Sequence, residues 1–430
     1  MTSQMTETPQ SIDRLIHRVG SRLSHRPDLV RIFENCIKNT LETTIRRWPD
    51  GTTYVITGDI PAMWLRDSAA QVRPYLVVAS EDERIADMIQ GLVERQFQFI
   101  IPDPYANAFN DAPNGKGHQK DITAMTPWIW ERKYEVDSLC YPIQLSYLLW
   151  KNTGRTAQFN ATFRQAVREI IALWTREQHH ETDSEYRFQR PKKPEQLPRE
   201  GKGNPTAYTG MTWSGFRPSD DPCQYGYLIP SNMFAVVVLR YAAEIAETVL
   251  QDPSLAEEAK RLGDEIERGI RKYGIVEHPK YGPVFAYETD GLGNYSLMDD
   301  ANVPSLLSIP YLGYVSADDP LYQNTRRFVL SEDNPYFFKG KAAQGIGSPH
   351  TPHRYIWHIA LAMEGLTADR PEEKWRLIDL MVRTDAGTGM MHESFDADDP
   401  TQFTRKWFSW ANMMFCELLL DLCDIRVKTS

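Results

Sequence analysis

The sequence predicts an all-α protein, a closed ring of six helical hairpins with small β-hairpin decorations, in a single domain over residues 1–430. Three observations lead there. Apolar residues recur at helical spacing in segment after segment. Strand signals are few and short. Six times, a cluster of acidic, aromatic and small polar residues precedes or opens an apolar helix, at irregular intervals of very roughly fifty to ninety residues, room for one helix out and one back.

Along the chain, the first ten or so residues carry no pattern and read as a flexible tail. "TTYVITG" over 52–58 reads as a strand. Ile85, Met88, Ile89, Leu92 and Val93 share one helical face, in a helix that Ser80 and Glu83 open at capping-box spacing. Phe163, Val167, Ile170, Ile171 and Trp174 repeat the pattern, as do Leu255, Ala259, Leu262 and Ile266. Two stretches are apolar nearly all round and predict deeper burial: "NMFAVVVLRYAAEIAETVL" after Ser231 as N-cap, and "WANMMFCELLLDLC". In "GPVFAYETDGLGNYSL", Asp290-Gly291 marks a hairpin turn. The Pro-, Gly- and charge-rich piece at 190–210 has similar helices on both sides, which favours an insertion loop over a domain linker.

The six clusters are "MWLRDSAAQV", "YEVDSLCYPIQL", "FRPSDDPCQYGYLIPSNMF", "MDDANVPSLLSIPYL", "GSPHTPHRYIWHIAL" and "HESFDADDPTQFTRKWFSWANMMF". In a ring of hairpins the inner helices all begin at one rim, so the loops feeding them converge on a common pocket. Asp59, Trp64, Arg66 and Asp67 then form one sixth of its lining. The plainer alternative is that Asp67 and Ser68 cap a helix and Trp64 packs.

Composition narrows the function. Apolar residues make up 41 % and charged residues 25 %, the mixture of a soluble globular chain. A net charge of −10 argues against nucleic acid, which needs clustered Lys and Arg. A neutral or cationic substrate fits better. Five cysteines, odd in number and scattered without a CxxC pair, read as reduced thiols and not as a disulfide frame or zinc site. With no signal-peptide pattern and no window approaching eighteen apolar residues, the expectation is a cytoplasmic protein without membrane partners. Walker A, GxGxxG, HExxH and GxSxG motifs are missing, so neither a nucleotide cofactor nor zincin or serine-hydrolase chemistry is supported.

Loop carboxylates beside Trp, Tyr and Phe suit a carbohydrate. Carboxylates, Arg and Asn bind paired hydroxyls, while aromatic rings take the apolar sugar faces. Glycosidic cleavage then needs one carboxylic acid to protonate the leaving oxygen and a second carboxylate acting on the anomeric carbon. Asp220 is the candidate acid, because Asp221 precedes Pro222 and suits a turn; burial or the adjacent like charge would raise the Asp220 pKa. Asp221 remains the alternative. Glu393, after a glycine-bearing turn, is the candidate base, against the plainer reading of a solvated acidic turn; the spacing lacks the Gly and final Glu of an EF-hand. His350, His353 and His358 do not share one helical face, and with Arg354 they suit a hydroxyl-binding loop better than a metal site. Glu135, Asp137, Asn232, Asp300 and Asn302 are further hydroxyl partners, some of them helix caps only.

Together, "TGDIPAMWLRDSA", "YEVDSLCYP", "GMTWSGFRPSDD", "YGYLIPSNMF", "GIGSPHTPHRYIWH" and "MHESF" resemble the metal-independent exo-α-1,6-mannosidases of glycoside hydrolase family 125, over residues 10 to 425 or so. The resemblance implies an (α/α)6 barrel, no cofactor or metal, and inverting hydrolysis of terminal α-1,6-linked mannose from oligosaccharides or N-glycans. It maps the acid onto Asp220 and the base onto Glu393. By motif it also carries over Asp59, Arg66, Asp67, Asn302 and Arg354 as mannose contacts, with Trp64 and Trp213 as walls. Three alternatives stand beside it: an inverting α/α-barrel glycosidase acting on α-glucosides, a sugar epimerase using the histidines, and a sugar-binding protein without turnover.

Overall fold

Helices that alternate inward and outward along the chain build the ring in this computed structural model, which describes residues 3–4, 8–191 and 195–429. In chain order they are α1 (Pro27–Thr43), α2 (Leu65–Val72), α3 (Glu83–Ile100), α4 (Val136–Thr153), α5 (Ala161–Glu177), α6 (Ile229–Ile245), α7 (Pro253–Tyr273), α8 (Ile309–Leu312), α9 (Pro320–Val329), α10 (His358–Leu366), α11 (Pro371–Arg383) and α12 (Ser409–Leu422). The even-numbered helices line the axis; the odd-numbered ones wrap them. Inside, α2 packs on α4 and α12, α4 on α6, α6 on α8, and α10 on α12. The fold is an (α/α)6 barrel.

Hydrophobic patterning decides which helix goes where. The outer α7 buries one stripe, Leu255, Ala256, Ala259, Leu262, Ile266 and Ile270 with Gly263 and Gly269, leaving its charged face in water. The inner α6 and α12 are buried along almost their whole length, as their all-round apolar sequences require. Each Leu or Ile so buried contributes about 1.5–3 kcal/mol relative to exposure. The sixth hairpin joins the two ends of the chain, with α12 packed against α1. There Asn412 Oδ1 accepts from Met391 N at 2.8 Å and from Cys36 Sγ at 3.5 Å.

Helix starts differ too, although the outer α1 and α11 also begin without a side-chain cap. The outer α3, α5, α7 and α9 begin with side-chain caps from Asp82, Asn160, Asp252 and Asp319. Among the described residues, no side-chain cap closes any of the six inner N-termini. Instead short strands run straight into three of them. Met63–Trp64 enters α2 from a sheet with Ala108–Phe109 and Ile129–Glu131. Tyr227–Leu228 enters α6 from a sheet with Glu288–Thr289 and Tyr295–Ser296. Tyr355–Trp357 enters α10 from a sheet with Ser394–Asp396 and Phe403–Thr404. These ladders pin one rim of the ring.

Several local expectations change. Asp82, not Ser80, caps α3, accepting from Arg84 N at 3.0 Å and Ile85 N at 3.4 Å. Helix α6 starts two residues ahead of Ser231, whose hydroxyl is buried without a partner among the described residues. The apolar helix expected at "SLLSIPYL" shrinks to the single turn α8, because Asp299 takes the amides of Leu306 and Leu307 at 2.8 and 3.0 Å. The turn at Asp290 and Gly291 has the expected form: Gly291 has φ +74°, and Asp290 Oδ1 accepts from the amides of Leu292 and Asn294. Within the expected tail, Ser3–Gln4 pairs with Arg46–Arg47; residues 1, 2 and 5–7 lie outside the described residues. In the 190–210 stretch, whose residues 192–194 are likewise outside them, Leu197 is buried and Glu195 meets Arg190 at 2.6 Å and Lys133 at 3.3 Å.

His358, first residue of α10, fastens the strand that follows Glu393. The Thr384 hydroxyl already donates to Leu380 O, so His358 Nε2 donates to Thr384 Oγ1 at 3.1 Å and Nδ1 accepts from His392 N at 3.0 Å. Burial, then the neighbouring His392, lowers its pKa from 6.5 to about 3. The neutral ring therefore stabilises the fold fully above about pH 6.5, and that contribution, up to a few kcal/mol, is lost as pH falls toward 3. Denaturation midpoints measured between pH 8 and 4 should fall steeply in the natural chain and less steeply in His358→Gln. Equal slopes would show that His358 is not the group responsible.

Candidate active site

At the pinned rim a pocket of about 200 Å³ opens between the starts of the inner helices. Trp64 and Trp357, the N-cap residues of α2 and α10, line it together with Phe408 and Trp410 from the start of α12. Polar groups fill the spaces between these rings: Arg66 and Asp67 from the first turn of α2, Asn302 ahead of α8, and His350 ahead of α10. Two carboxylates face the pocket from different sectors, Asp220 ahead of α6 and Glu393 ahead of α12.

Arg66 organises the floor. Its Nη1 donates to Glu135 Oε2 at 2.8 Å and Asp137 Oδ2 at 3.1 Å, its Nε lies 3.5 Å from Asp67, and its Nη2 lies 3.6 Å from Asp220. Four carboxyl groups thus meet one guanidinium that is 3 % exposed. Burial opposes the Arg66 charge, but Glu135 and Asp137 outweigh it and hold the pKa well above the usual arginine value. Burial pushes the carboxyls up against the pull of Arg66, Asp137 to about 6 and Glu135 well above the ordinary range. Glu135 and Asp137 side chains are fully enclosed and do not reach the pocket, which corrects their expected role as hydroxyl partners.

Asp220 sits at φ +70°, a left-handed conformation that costs a non-glycine residue about 1–3 kcal/mol. The turn holds it there: Asp220 N donates to Arg217 O at 2.9 Å, Arg217 N to Asp221 O at 2.8 Å, and the Arg217 side chain is anchored on buried Glu288 at 2.6 Å. Asp221 accepts from Ser219 Oγ at 2.8 Å and lies 3.6 Å from His350, a turn-forming part. Burial tends to raise the Asp220 pKa, but Lys133 and Arg66 outweigh it, so the carboxyl is held below its ordinary range. The expected raised value belongs instead to Glu135, which shares the Arg66 guanidinium with Asp220.

Glu393 meets Arg405, whose Nη1 lies 3.6 Å from its Oε1. Arg405, at φ +44°, also donates through Nε to both oxygens of Asp59, at 3.0 and 3.1 Å, and lies over the Phe408 ring. Asp59 therefore holds Arg405 from beside the pocket and does not line it. His350 is pushed down by burial and up by Asp221, Asp220 and Glu393, ending at about 9, an imidazolium beside the carboxylates at neutral pH.

The remaining expected contacts lie elsewhere. Trp213 is 1 % exposed and stacks on His180 with centroids 3.5 Å apart; Gly203 and Gly226 leave room for its ring, so it is core and not a pocket wall. Asp300 is buried behind Asn302, accepting from its backbone and side-chain amides at 2.9 Å and from Ser348 Oγ. Arg354 turns away to Asp398 at 2.9 Å, and exposed His353 packs edge-on to Phe338. Asn232 is tied to Thr212 beneath the surface. Of the three histidines, His350 alone lines the pocket; among the described residues no cluster of His, Cys, Asp or Glu is placed to hold a metal ion. Arg405, Trp357, Phe408 and Trp410 line the pocket without having been singled out, although all four stand in the quoted clusters.

Residues 26–420 match the family described as metal-independent alpha-mannosidase (GH125). The chain belongs to this family. A family 125 structure from Streptococcus pneumoniae, of a metal-independent α-mannosidase in a non-productive complex with α-1,6-mannobiose, is 55 % identical, superposes with a TM-score of 0.96 and covers 98 % of this chain and all of its own. The meiotically up-regulated gene 157 protein of Schizosaccharomyces pombe is 42 % identical over 98 % of this chain and 87 % of its own length. A bacterial glucoamylase bound to acarbose, at 14 % identity and a TM-score of 0.64 over 92 % of this chain and 56 % of its own, shares the fold alone.

Two outcomes follow for this family 125 enzyme. Trp213→Phe should lower stability by about 0.5–3 kcal/mol and leave KM for an α-mannoside unchanged, whereas Trp64→Ala should raise KM; a KM effect from Trp213→Phe would return that residue to the pocket wall. Arg405→Met should lower kcat/KM by about 10–100-fold through loss of a charged hydrogen-bonding group, and steady-state kinetics at wild-type rate would remove Arg405 from the site.

Proposed function

We propose that this chain releases a single non-reducing terminal mannose from α-1,6-linked oligosaccharides, with Asp220 as acid and Glu393 as base, and inverts the anomeric configuration. One observation carries it: carboxylates from two distant loops share a pocket of about 200 Å³, smaller than the ~300–1,000 Å³ of sites for larger ligands, with aromatic rings on its walls. That is room for one sugar ring, which favours exo action. The α-1,6 linkage draws support from the mannobiose bound by the Streptococcus pneumoniae relative.

In this mechanism the bond from C1 to the leaving O6 breaks with its electron pair going to oxygen, which takes a proton from Asp220. A water attacks C1 from the opposite face and gives its proton to Glu393. The two carboxyl groups of an inverting pair stand roughly 6.5–9.5 Å apart to leave room for that water. Arg66 and Arg405 supply fixed positive charge beside each carboxyl, and the inner helix N-termini add their positive ends. An epimerase drawing on the histidine cluster is disfavoured, since His353 and His358 lie outside the pocket. The five unpaired, buried cysteines suit a reducing compartment, so we place the reaction on imported glycan in the cytoplasm.

Proton NMR of α-1,6-mannobiose with the enzyme should show β-mannose first, and a chelator should not slow its release. Early α-mannose would make the enzyme retaining and Glu393 a nucleophile; no mannose at all would overturn the substrate. Asp220→Asn and Glu393→Gln should each lower kcat by about 10²–10⁴-fold with KM largely kept.

A further inference from the structure

Asp220 faces the substrate, yet its surroundings favour its ionised form. Lys133 approaches from the loop between the Ile129–Glu131 strand and α4, Arg66 from α2, and His350 from the loop ahead of α10. Asn107 Nδ2 adds a hydrogen bond to Asp220 Oδ1 at 3.3 Å. An acid so placed needs a source for its proton.

Behind it stands Glu135, the N-cap residue of α4, with a side chain that is 0 % exposed. Its Oε2 is satisfied twice, by Arg66 Nη1 at 2.8 Å and Ser138 Oγ at 2.8 Å. Its Oε1 is buried and meets no donor among the described residues. A buried carboxylate oxygen left bare is destabilising. The Asp220 carboxyl shares the Arg66 guanidinium with Glu135, to which Nη1 donates at 2.8 Å while Nη2 lies 3.6 Å from Asp220, and two carboxyls brought together in this way form a hydrogen bond only when one of them carries a proton. The surroundings of Glu135 favour that proton on its side: burial disfavours its charge, and Asp220 and Asp137 repel a second negative charge there, against the pull of Arg66.

We propose that Glu135, which no substrate atom reaches, is the proton partner of Asp220: the two carboxyls hold one proton between them, resting on Glu135 and passing through Asp220 to the leaving oxygen. The inference rests on Asp220 being the acid. The single shared proton first crosses from Glu135 to Asp220, leaving the new charge of Glu135 on Arg66, and O6 takes it from Asp220 as C1–O6 breaks, so that both carboxyls end ionised. The attacking water loses its proton to Glu393. After product leaves, Glu393 releases that proton to solvent, and the Asp220–Glu135 pair regains one through the open pocket. Glu135 is thus a positioning residue for a proton, distinct from the groups that touch sugar.

Leaving-group dependence tests it. Glu135→Gln keeps the shape and the Arg66 contact, but its amide can only donate to Asp220 and locks it ionised. On α-1,6-mannobiose, kcat should fall by about 10²–10⁴-fold. On dinitrophenyl α-mannoside, whose phenolate departs without a proton, it should stay within about tenfold of the natural enzyme, the pattern of a lost proton donor. Equal losses on both substrates would make Glu135 merely a support for Arg66 and overturn the proposal. Asp220→Asn run alongside separates the two readings: if it hydrolyses mannobiose at full rate, Asp220 is not the acid and the function fails first. Infrared spectra of natural enzyme carrying ¹³C-labelled glutamate need no variant to fold. A protonated glutamate carbonyl band at neutral pH is expected, lost in Glu135→Gln where that variant folds; its absence from the natural enzyme would overturn the shared proton.

Discussion

One buried guanidinium governs the open end of the barrel. Arg66 meets Glu135, Asp137, Asp67 and Asp220 where almost no water reaches, and each of the four relies on it for compensation. Buried ion pairs of this kind add little net stability, but removing one partner leaves charge stranded and costs about 3–5 kcal/mol. The value of the arrangement is therefore positional. Because Arg66 lies in the first turn of α2 and Glu135 and Asp137 at the start of α4, the cluster locks two neighbouring inner helices in register at the rim. Everything facing the pocket is placed relative to that lock.

A second constraint is conformational. Asp220 and Arg405 both occupy left-handed backbone conformations that a glycine would adopt without strain, and neither can be a glycine because its side chain is needed. The strain is contained by rigid surroundings: the Arg217–Glu288 pair under one, the Phe408 ring and Asp59 beside the other. Strands entering the inner helices supply the same rigidity, so loop residues in this site inherit the precision of a ladder.

The ring was legible because its signal repeats. No single cluster distinguishes a pocket lining from a helix cap, but six clusters ahead of six apolar helices do, and Trp64, Arg66, Asp67, Asn302, Asp220 and Glu393 all come to line the pocket. What stayed hidden depends on side-chain direction. Trp213 and Trp64 look alike in sequence, yet one points into the core beneath His180. His350 and His353 flank Pro352, and nothing in a three-residue spacing tells which faces inward. Glu135 reads as a hydroxyl partner until its burial behind Arg66 is seen. The collapse of the fourth inner helix to a single turn depends on Asp299 capturing two amides, a contact invisible to hydrophobic periodicity.

The seam between α1 and α12 sets an order of assembly. Asn412 joins Cys36, 376 positions away, to Met391, two residues before Glu393, so the segment bearing Glu393 is fastened by α1. A ribosome delivers those partners at opposite ends of synthesis, and contacts so remote in sequence are the slowest to form. The nascent protein can stack five hairpins as an open crescent, but its carboxylates face each other only once the last helix has emerged and the circle shuts. Packing of α12 against α1 and α2 is therefore what completes the pocket.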